Sequence, residues 1–306
     1  MRWQAIFATT IMSMTNVAAL SLRVITSNIR YAAAASTYEK PWSVRGPLLI
    51  EKIKSTAAAA ATGNITSIPV LGMQEVLHAQ LLDIRAGLGA QWAHLGTGRD
   101  DGAEKGEYCP ILYQPAKVRL VYSTQKWLSK TPDVPSFWPG AGSRRYVLVA
   151  VFEEMGTGTR FVAANTHLDN ASREARTEGA RIALRVIADV QGVYGPDLPV
   201  VLSGDFNSEP GTGDAYGVVV QDGYLGDGYV LVDEGGRFGP YETYTGFNPG
   251  EVDGVKQRID FIWAGPRDGD GDGNVWDVER YEVLSNVVDG VYFSDHRPVV
   301  VDVALH

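Results

Sequence analysis

The sequence predicts an α/β protein built in layers, with many strands and three or four helices. Apolar runs rich in Val, Ile and Leu recur along the chain with the pattern of strands, and segments with helical apolar spacing lie between some of them. No linker, repeat or low-complexity run divides the 306 residues, so residues 20–306 are expected to form one domain. The pattern alone does not decide the order of the strands in the sheets.

The first elements are a strand, a helix and a second strand. Residues 22–28 alternate in polarity and are enriched in Val and Ile, which predicts a strand. A helix is predicted over residues 46–61, because Pro47 suits a first helical turn and a poly-Ala stretch follows it. Residues 69–75 form an apolar run that predicts the next strand.

The remaining elements follow the same two patterns. Apolar residues spaced by three or four predict a helix over residues 77–88. A long helix is predicted from Ser172, which is a good N-cap residue, to about Tyr194. A short helix is predicted over residues 213–222. The other predicted strands are residues 109–114, 118–128, 145–153, 160–167, 199–204, 257–263, 276–284 and 296–303.

Polar residues typical of metal and acid/base sites stand at the ends of these apolar runs. Strand ends that meet at one rim of a sheet would collect such residues into one pocket. They are Asn28 in Ile-Thr-Ser-Asn, Glu75 in Met-Gln-Glu, His167 in Asn-Thr-His, Asp205 and Asn207 in Gly-Asp-Phe-Asn, and Asp295 and His296 in Ser-Asp-His-Arg-Pro. Asp260, in Arg-Ile-Asp-Phe-Ile-Trp, adds a carboxylate inside a strand.

Taken together and in this order, the motifs resemble the endonuclease/exonuclease/phosphatase superfamily, the metal-dependent phosphohydrolases of the DNase I type. The resemblance runs from about Leu22 to Val303, and Gly-Asp-Phe-Asn and Ser-Asp-His-Arg-Pro are both intact. The stretches that begin at Asn28, Gly98 and Asn165 are closer to a compact secreted branch than to the DNA-repair branch. The resemblance implies a four-layer αββα sandwich, in which two packed β-sheets carry helices on both outer faces.

The resemblance also implies a metal site. Glu75 is the expected principal ligand of Mg²⁺, with Mn²⁺ as an alternative, because these cations prefer oxygen ligands. Asn28 is expected to assist the metal or to orient the phosphate, and Asp295 to add to the metal shell. Arg30 stands where the repair-type members carry an acid, which favours a single metal ion.

The other motif residues are expected to act on the phosphate and on water. His296 paired with Asp260 is expected to serve as an acid/base or to hold a phosphate oxygen. Asp205 is expected to orient or deprotonate the attacking water. Asn207, and His167 if it is protonated, are expected to donate to phosphate oxygens.

Arg145 is a further candidate for phosphate binding. It follows a polar loop and begins an apolar strand, and its guanidinium has the geometry to bind phosphate. The alternative is an exposed charge at the end of a strand.

One acidic motif lies apart from this set. Asp268, Asp270, Asp272 and Glu279 match the calcium-binding positions of an EF-hand loop, but the preceding residues predict a strand instead of a helix. We expect a structural Ca²⁺ that holds a hairpin between two strands, independent of catalysis. The alternative is an acidic, Gly-rich turn.

The N-terminus and the single cysteine indicate the cellular compartment. Residues 1–19 are typical of a secretory signal peptide, with Arg2, a short apolar stretch and small residues before Leu20, so the mature protein is expected to be extracellular and outside the membrane. The alternative is an N-terminal extension of a cytosolic protein. Cys109 is expected to be buried, since it lies in an apolar strand pattern. Glycosylation sequons begin at Asn64 and Asn170, and a glycan on Asn170 would crowd the site.

The charge balance bears on the substrate. The formal net charge is −9, whereas proteins that grip a long polyanion usually carry a basic face. We therefore expect Mg²⁺-dependent hydrolysis of a small phosphodiester or phosphomonoester, such as a sugar or nucleotide phosphate. A narrow pocket walled by Trp42, Tyr108 or Trp138 would favour the small substrate, and a basic groove would favour a nuclease. The alternatives are an extracellular nuclease and, from another class, a catalytically silent binding protein on the same fold.

Overall fold

The structure is a computed structural model that describes residues 20–35, 37–61, 67–247, 257–267 and 273–305. The predicted signal peptide lies outside these residues. So do Asn64 of the first sequon and three residues of the predicted calcium loop, Asp268, Asp270 and Asp272. In the part of the chain that is described, no helix is both long and apolar enough to cross a bilayer.

The secondary structure consists of strands throughout the chain with helices between them. The strands are β1 (Ser21–Asn28), β2 (Ile68–Gln74), β3 (Ala93–Leu95), β4 (Ile111–Tyr113), β5 (Val118–Trp127), β6 (Tyr146–Glu154), β7 (Arg160–His167), β8 (Val200–Asp205), β9 (Gly226–Asp227), β10 (Arg237–Phe238), β11 (Asp260–Gly265), β12 (Trp276–Val283), β13 (Val287–Val288), β14 (Val291–Tyr292) and β15 (Val299–Leu305). The helices are α1 (Trp42–Ala58), α2 (His78–Leu88), α3 (Arg173–Tyr194), α4 (Ala215–Asp222) and α5 (Gly228–Leu231).

Two large mixed sheets form the centre of the molecule. The first sheet has the strand order β10-β12-β15-β1-β2-β4-β3, and the second has the order β5-β6-β7-β8-β11-β9. In the first sheet β1 is parallel to β2 and antiparallel to β15. In the second sheet β8 is parallel to β7 and antiparallel to β11. The centres of the two sheets therefore have the same local arrangement.

Three apolar clusters of side chains lie between four layers, which are the two sheets and the helices on their outer faces. Strand β6 contributes to two of these clusters, because the side chains of a strand alternate between its two faces. Leu148 packs between the two sheets, whereas Val147 and Val149 pack against α3 and α4. A third apolar cluster joins the outer face of the first sheet to α1 and α2. The four-layer αββα sandwich is thus confirmed.

The helix ends show where local patterns succeeded and where they failed. The Ser172 hydroxyl accepts a hydrogen bond from the backbone N–H of Ala175 at 3.2 Å, so the predicted N-cap of α3 is confirmed. Helix α1 begins at Trp42, four residues before the predicted start, and Pro47 lies inside it. The apolar pattern did not predict the first turn of α1, because the most deeply buried side chain of that turn is the charged Arg45.

Two strand predictions also need correction. The last strand begins at Val299, so Asp295 and His296 lie in the segment before it instead of within it. The predicted hairpin around the acidic loop is wrong, because β11 and β12 belong to different sheets. A bridge between Arg267 and Asn274 joins the chain across the loop, and Nδ2 of Asn274 also donates to the carbonyl oxygen of Ala264 at 2.9 Å. Cys109 is buried as predicted, and burial raises the pKa of its thiol to about 12.

Candidate active site

Strand register brings the predicted site residues to one rim of the sandwich. Parallel pairing of β1 with β2 places Asn28 beside Gln74, the residue before Glu75. In the second sheet, His167 and Asp260 both pair with Asp205, the last residue of β8. β15 runs antiparallel to β1, so the segment that precedes β15 reaches the same rim as the end of β1. That segment carries Asp295 and His296.

Asp205 is the point where the two halves of the site meet. Its Oδ2 accepts a hydrogen bond of 2.9 Å from Nδ2 of Asn28, which belongs to the other sheet. The same oxygen lies 3.5 Å from Nε2 of His167 and 3.8 Å from Nε2 of His296. Its Oδ1 accepts from the backbone N–H of Asn207 at 2.9 Å. A single buried carboxylate therefore contacts four of the predicted site residues.

His296 and Asp260 form the predicted pair. Nδ1 of His296 lies 2.9 Å from Oδ2 of Asp260, and both side chains are buried. Burial by itself lowers the pKa of His296, but the charges of Asp260, Asp205 and Asp295 outweigh it and hold that pKa well above its usual value. The imidazole is therefore protonated near neutral pH and can act as an acid through Nε2.

The neighbouring carboxylates also change the pKa of Asp205. Burial and the neighbouring charge of Asp260 raise the pKa of Asp205 to about 7. A carboxylate with this pKa is poised to exchange a proton near neutral pH. A protonated imidazole and a carboxylate with a raised pKa therefore lie close together, with 3.8 Å between Nε2 of His296 and Oδ2 of Asp205.

His167 differs from His296 in its charge state. Burial, together with the charges of Arg145 and Arg99, lowers the pKa of His167 well below its usual value. The ring is therefore neutral near pH 7, and its Nε2 is 3.1 Å from Nδ2 of Asn207. The amide of Asn207 also donates to the carbonyl oxygen of Leu168 at 3.1 Å. Donation from Asn207 to a phosphate would have to replace one of these bonds.

Glu75 and Asn28 form the opposite wall of the site. Oε1 of Glu75 accepts from Nδ2 of Asn28 at 3.1 Å, and Oε2 accepts from the backbone N–H of Tyr31 at 3.1 Å. Oδ1 of Asn28 is occupied by the backbone N–H of Arg30 at 2.9 Å. In this orientation Asn28 holds the Glu75 and Asp205 carboxylates through its amide nitrogen. Direct ligation of a metal by Asn28 would require the amide to turn over.

Backbone strain is concentrated at this rim. Among the described non-glycine residues, positive φ angles occur at Arg30 (55°), Glu75 (60°), Asn207 (48°) and Asp289 (48°). The first three flank the site, where such conformations persist only when the surrounding structure holds them. The strain agrees with a site whose side chains are positioned for function.

Comparison with known proteins identifies the family. The solved structure of an endonuclease/exonuclease/phosphatase family protein from Bacteroides thetaiotaomicron matches with a TM-score of 0.79 and 30% sequence identity. The match covers 94% of this chain and 99% of that one. This chain belongs to the endonuclease/exonuclease/phosphatase family. It is accordingly a phosphoric ester hydrolase, and the catalytically silent alternative is set aside.

Two further comparisons add detail. A mannosyl-6-phosphatase from Bacteroides thetaiotaomicron matches with a TM-score of 0.78 and 29% identity, over 93% of this chain and 100% of that one. An uncharacterized protein of Acanthamoeba polyphaga mimivirus is 32% identical over 102 residues, which are 32% of this chain. The matched region spans only 37% of that protein's length. No family model matches the sequence.

The donor set fits the divalent cation that this family generally uses. Ligand atoms of Asp205, Asp260 and His296 lie within 4.8 Å of one another in a buried group, and Glu75 and Asp295 add carboxylates nearby. Burial and the charge of Glu75 raise the pKa of Asp295, while burial and Asp260 do the same for Asp205. Such crowding of like charges is relieved by a bound cation. Within this group Nδ1 of His296 is engaged with Oδ2 of Asp260.

Arg30 and Arg145, the two arginines singled out from the sequence, have different surroundings in the active site. Arg30 pairs with the buried Glu39, with 3.1 Å between Nε and Oε1, and its charge also lies near Asp295 and Glu75. Arg145 is buried, so the alternative of an exposed charge at the end of a strand is wrong. Nη2 of Arg145 donates to Oδ1 of Asn170 at 3.3 Å, whereas its Nε and Nη1 have no hydrogen-bond partner among the described residues.

Trp42, Tyr108 and Trp138, the aromatic residues considered as walls of a substrate pocket, form hydrogen bonds with other parts of the protein. Tyr108 is buried and donates its hydroxyl to the carbonyl of Ala103 at 3.0 Å. The indole nitrogens of Trp42 and Trp138 donate to acidic side chains on helices α2 and α3. Trp138 lines a groove of about 760 Å³ between β5 and α3 instead of the catalytic rim.

Sequence analysis missed residues that hold the site in place. The Thr243 hydroxyl accepts from the backbone N–H of Asp260 at 3.1 Å, and Thr243 is fully buried. Arg45 donates to the carbonyls of Ile29 at 3.1 Å and Phe293 at 2.8 Å, which join the segment after Asn28 to the segment before Asp295. A single Thr or Arg far from any motif carries no sequence signal for such a role.

Proposed function

We propose that this chain hydrolyses a small phosphorylated substrate and uses Mg²⁺, with Mn²⁺ as a substitute. The observation that carries the proposal is the position of Asp205, which contacts Asn28 of the first sheet and lies beside His167 and His296. A base, a protonated imidazole and a group of carboxylates therefore border one gap. This combination supplies what metal-assisted attack of water on a phosphoester requires.

Glu75 and Asp295 are the residues proposed to hold the cation, with Asn28 orienting Glu75. A bound Mg²⁺ would neutralise charge on the phosphate oxygens. Asp205 accepts the proton of the attacking water, which its raised pKa permits near neutral pH. His296 donates its Nε2 proton to the oxygen of the leaving group, while Asp260 fixes the ring through Nδ1.

The phosphate is proposed to bind between Asn207, His167 and Arg145. Neutral His167 accepts from Asn207 through Nε2, so its proton is on Nδ1, and that atom has no partner among the described residues. Nε and Nη1 of Arg145 are also buried without a hydrogen-bond partner among the described residues, and Nε lies 3.9 Å from Oδ2 of Asp169. Buried donors without partners are costly in a folded protein, and an incoming phosphate oxygen would satisfy them.

A sugar phosphate is the substrate class that we favour. The likeness to a mannosyl-6-phosphatase over the whole length of that protein supports a phosphomonoester on a sugar. The net charge of −9 argues against a polymeric nucleic acid, which leaves the nuclease as the less favoured alternative. We further propose that residues 1–19 direct secretion, which makes the mature protein extracellular.

A panel of phosphoesters tests the proposal. Release of inorganic phosphate is measured from mannose 6-phosphate, glucose 6-phosphate and a nucleoside monophosphate, and p-nitrophenol release from a bis(p-nitrophenyl) diester. Each assay is run with Mg²⁺, with Mn²⁺ and with chelator, and His296→Ala serves as the blank. We expect metal-dependent turnover that is fastest on a sugar monoester. Turnover that survives chelation would overturn the metal requirement, and hydrolysis of the diester alone would overturn the choice of a monoester.

A further inference from the structure

Polar side chains lie buried between the two sheets, directly beneath the catalytic rim. Thr26 and Gln74 come from β1 and β2 of the first sheet, and Asn165 and Ser203 from β7 and β8 of the second. All four are buried, and the first three have no exposed surface. We call these four residues the inter-sheet polar layer.

The hydrogen bonds of this layer cross from one sheet to the other. Nε2 of Gln74 donates to Oδ1 of Asn165 at 2.7 Å and to the hydroxyl of Thr26 at 3.0 Å. Nδ2 of Asn165 donates back to the carbonyl oxygen of Met73 at 2.8 Å. The Ser203 hydroxyl lies 3.2 Å from Oδ1 of Asn165 and also donates to a β7 carbonyl at 3.1 Å. Asn165 is thus bonded to both sheets.

Each member of the layer is one or two residues from a site residue in the sequence. Residues two apart on a strand face the same side. Thr26, Asn165 and Ser203 therefore stand one step below site residues on the same face of their strands. Those site residues are Asn28, His167 and Asp205 respectively. Gln74 immediately precedes Glu75. The layer consequently lies below the residues of both halves of the site.

Burying the inter-sheet polar layer costs free energy of folding. Buried amides and hydroxyls lose their hydration, and the net gain from their hydrogen bonds is small. Oε1 of Gln74 has no partner within the described part of the chain, so its desolvation is not offset. Apolar residues fill the space between the sheets elsewhere, as in the cluster that includes Leu22, Leu148 and Val301. Stability alone therefore gives no reason for polar residues at this level.

The layer also sets a close approach between the sheets. A methyl group added at Gly72 of β2 would lie 2.2 Å from the Ser203 hydroxyl and 2.7 Å from Oδ1 of Asn165. The first sheet can approach the second at this level only because residue 72 has no side chain. The hydrogen bonds between Gln74, Asn165 and Ser203 require set distances and directions, so they hold one geometry where apolar packing tolerates several.

We propose that Gln74 and Asn165 are positioning residues that fix the distance between the two halves of the active site. The bond between Asn28 and Asp205 spans these halves at the rim and needs both sheets in register. The proposal rests on the function proposed above, since that function places the metal ligand Glu75 after a strand of the first sheet and the base Asp205 at the end of a strand of the second. A misplacement of about 1 Å at such a site can reduce the rate by roughly 10²-fold.

The test compares Gln74→Leu with a matched control, Gln191→Leu. Gln191 is equally buried in α3, where it donates to the carbonyl of Leu198 at 2.6 Å and accepts from the hydroxyl of Tyr224 at 2.8 Å. Mn²⁺ affinity is measured by calorimetry, with kcat, KM and the melting temperature on the same preparations. Both variants should melt at a lower temperature. Only Gln74→Leu should lose roughly 10- to 100-fold in Mn²⁺ affinity or kcat, the range seen when residues behind metal ligands are removed.

A milder pair of variants covers the case in which Gln74→Leu does not fold. Thr26→Val removes the acceptor of Gln74, whereas Thr26→Ser keeps a hydroxyl. Thr26→Val should weaken Mn²⁺ binding and Thr26→Ser should restore it. Mn²⁺ affinity and kcat that are both equal in wild type, Gln74→Leu and Thr26→Val would overturn the positioning role.

A crystal structure gives a reading that does not depend on metal. The distance between Nδ2 of Asn28 and Oδ2 of Asp205, 2.9 Å in the wild type, should lengthen in Gln74→Leu or Thr26→Val and stay unchanged in Gln191→Leu. An unchanged distance in the layer variants would overturn the proposal. A wild type that neither binds Mn²⁺ nor hydrolyses phosphoesters would instead contradict the proposed function, so the two failures are distinguishable.

Discussion

His296 and His167 show how much a side chain's surroundings decide its chemistry. Both imidazoles are buried and both lie within 4 Å of Oδ2 of Asp205. His296 is additionally bonded to Asp260, which helps to raise its pKa, whereas burial and two nearby arginines lower the pKa of His167. The prediction that His296 is an acid/base thus agrees with its charge state, while a protonated His167 does not.

The first prediction concerns the acid and the base. His296→Ala and Asp205→Ala should each reduce kcat on the best substrate by about 10² or more, the scale for loss of a positioned acid or base. His94→Ala, which changes a histidine of β3 away from the rim, is the control and should retain turnover. Circular dichroism of all variants checks folding. Near-normal rates in either site variant would contradict the assignment.

The second prediction concerns pH. If His296 must be protonated, activity falls as pH rises through its pKa, which Asp260 helps to hold well above the usual value. Asp260→Asn removes the negative charge that favours the imidazolium, so this basic limb of the kcat/KM profile should move to lower pH. The acidic limb, set by Asp205, should also move down, because the charge of Asp260 contributes to raising that pKa.

The profile is measured for wild type and Asp260→Asn at saturating metal, since a bound cation shifts both limbs. A basic limb that stays at the same pH in the variant would exclude His296 as the acid.

At the scale of elements, the site depends on strand direction. The parallel pairs β1 with β2 and β7 with β8 end at the rim. Strand β11 runs antiparallel to β8, and β15 runs antiparallel to β1, so both begin there. This explains why Asp260 is the first residue of its strand and His296 precedes its strand, whereas Asn28, His167 and Asp205 are last residues. Local patterns find the strand but do not find its direction relative to the others.

The third prediction concerns the loop between β11 and β12. We propose that Asp268, Asp270, Asp272 and Glu279 bind a structural Ca²⁺, because clustered carboxylates repel one another until a cation binds. Burial and the charges of Asp302 and Asp277 raise the pKa of Glu279, which places it in an acidic environment. Millimolar Ca²⁺ should raise the melting temperature, since a ligand that binds only the folded state stabilises it.

The double variant Asp270→Ala, Asp272→Ala should abolish this rise and keep Mg²⁺-dependent activity. Equal melting temperatures of the wild type in Ca²⁺ and in chelator would leave an acidic turn as the explanation.

At the scale of the whole molecule, the net charge of the protein bears on whether its substrate is a small phosphoester or a polymeric nucleic acid. The chain carries 36 acidic and 27 basic residues among its 306. Several arginines near the site are already paired with acids, such as Arg99 with Glu107 at 2.7 Å and Arg30 with Glu39 at 3.1 Å. These pairs leave little positive charge to hold a polymeric phosphate backbone.

The fourth prediction follows from this balance. Plasmid DNA should be a poor substrate compared with small phosphoesters at equal enzyme concentration and physiological salt. Nicking is followed by gel electrophoresis and phosphate release by a colorimetric assay, both with and without Mg²⁺. Rapid metal-dependent nicking without activity on small esters would replace the proposed function with that of a nuclease.

The sequence by itself determined the family and the strands whose ends carry the site residues, and the resemblance to that family implied the four layers. Motifs such as Gly-Asp-Phe-Asn and Ser-Asp-His-Arg-Pro are local, and period-two apolar runs record burial on each face of a strand. These features depend on neighbours in the chain, so the sequence displays them directly.

Only the tertiary structure decided how the rim is held and charged. The bonds from Gln74 to Asn165 and from Arg45 to Phe293 join residues that are 91 and 248 positions apart. The opposite pKa shifts of His296 and His167 arise from charges brought together by strand pairing. Contacts between distant residues and the dielectric environment exist only after folding, so no local pattern announces them.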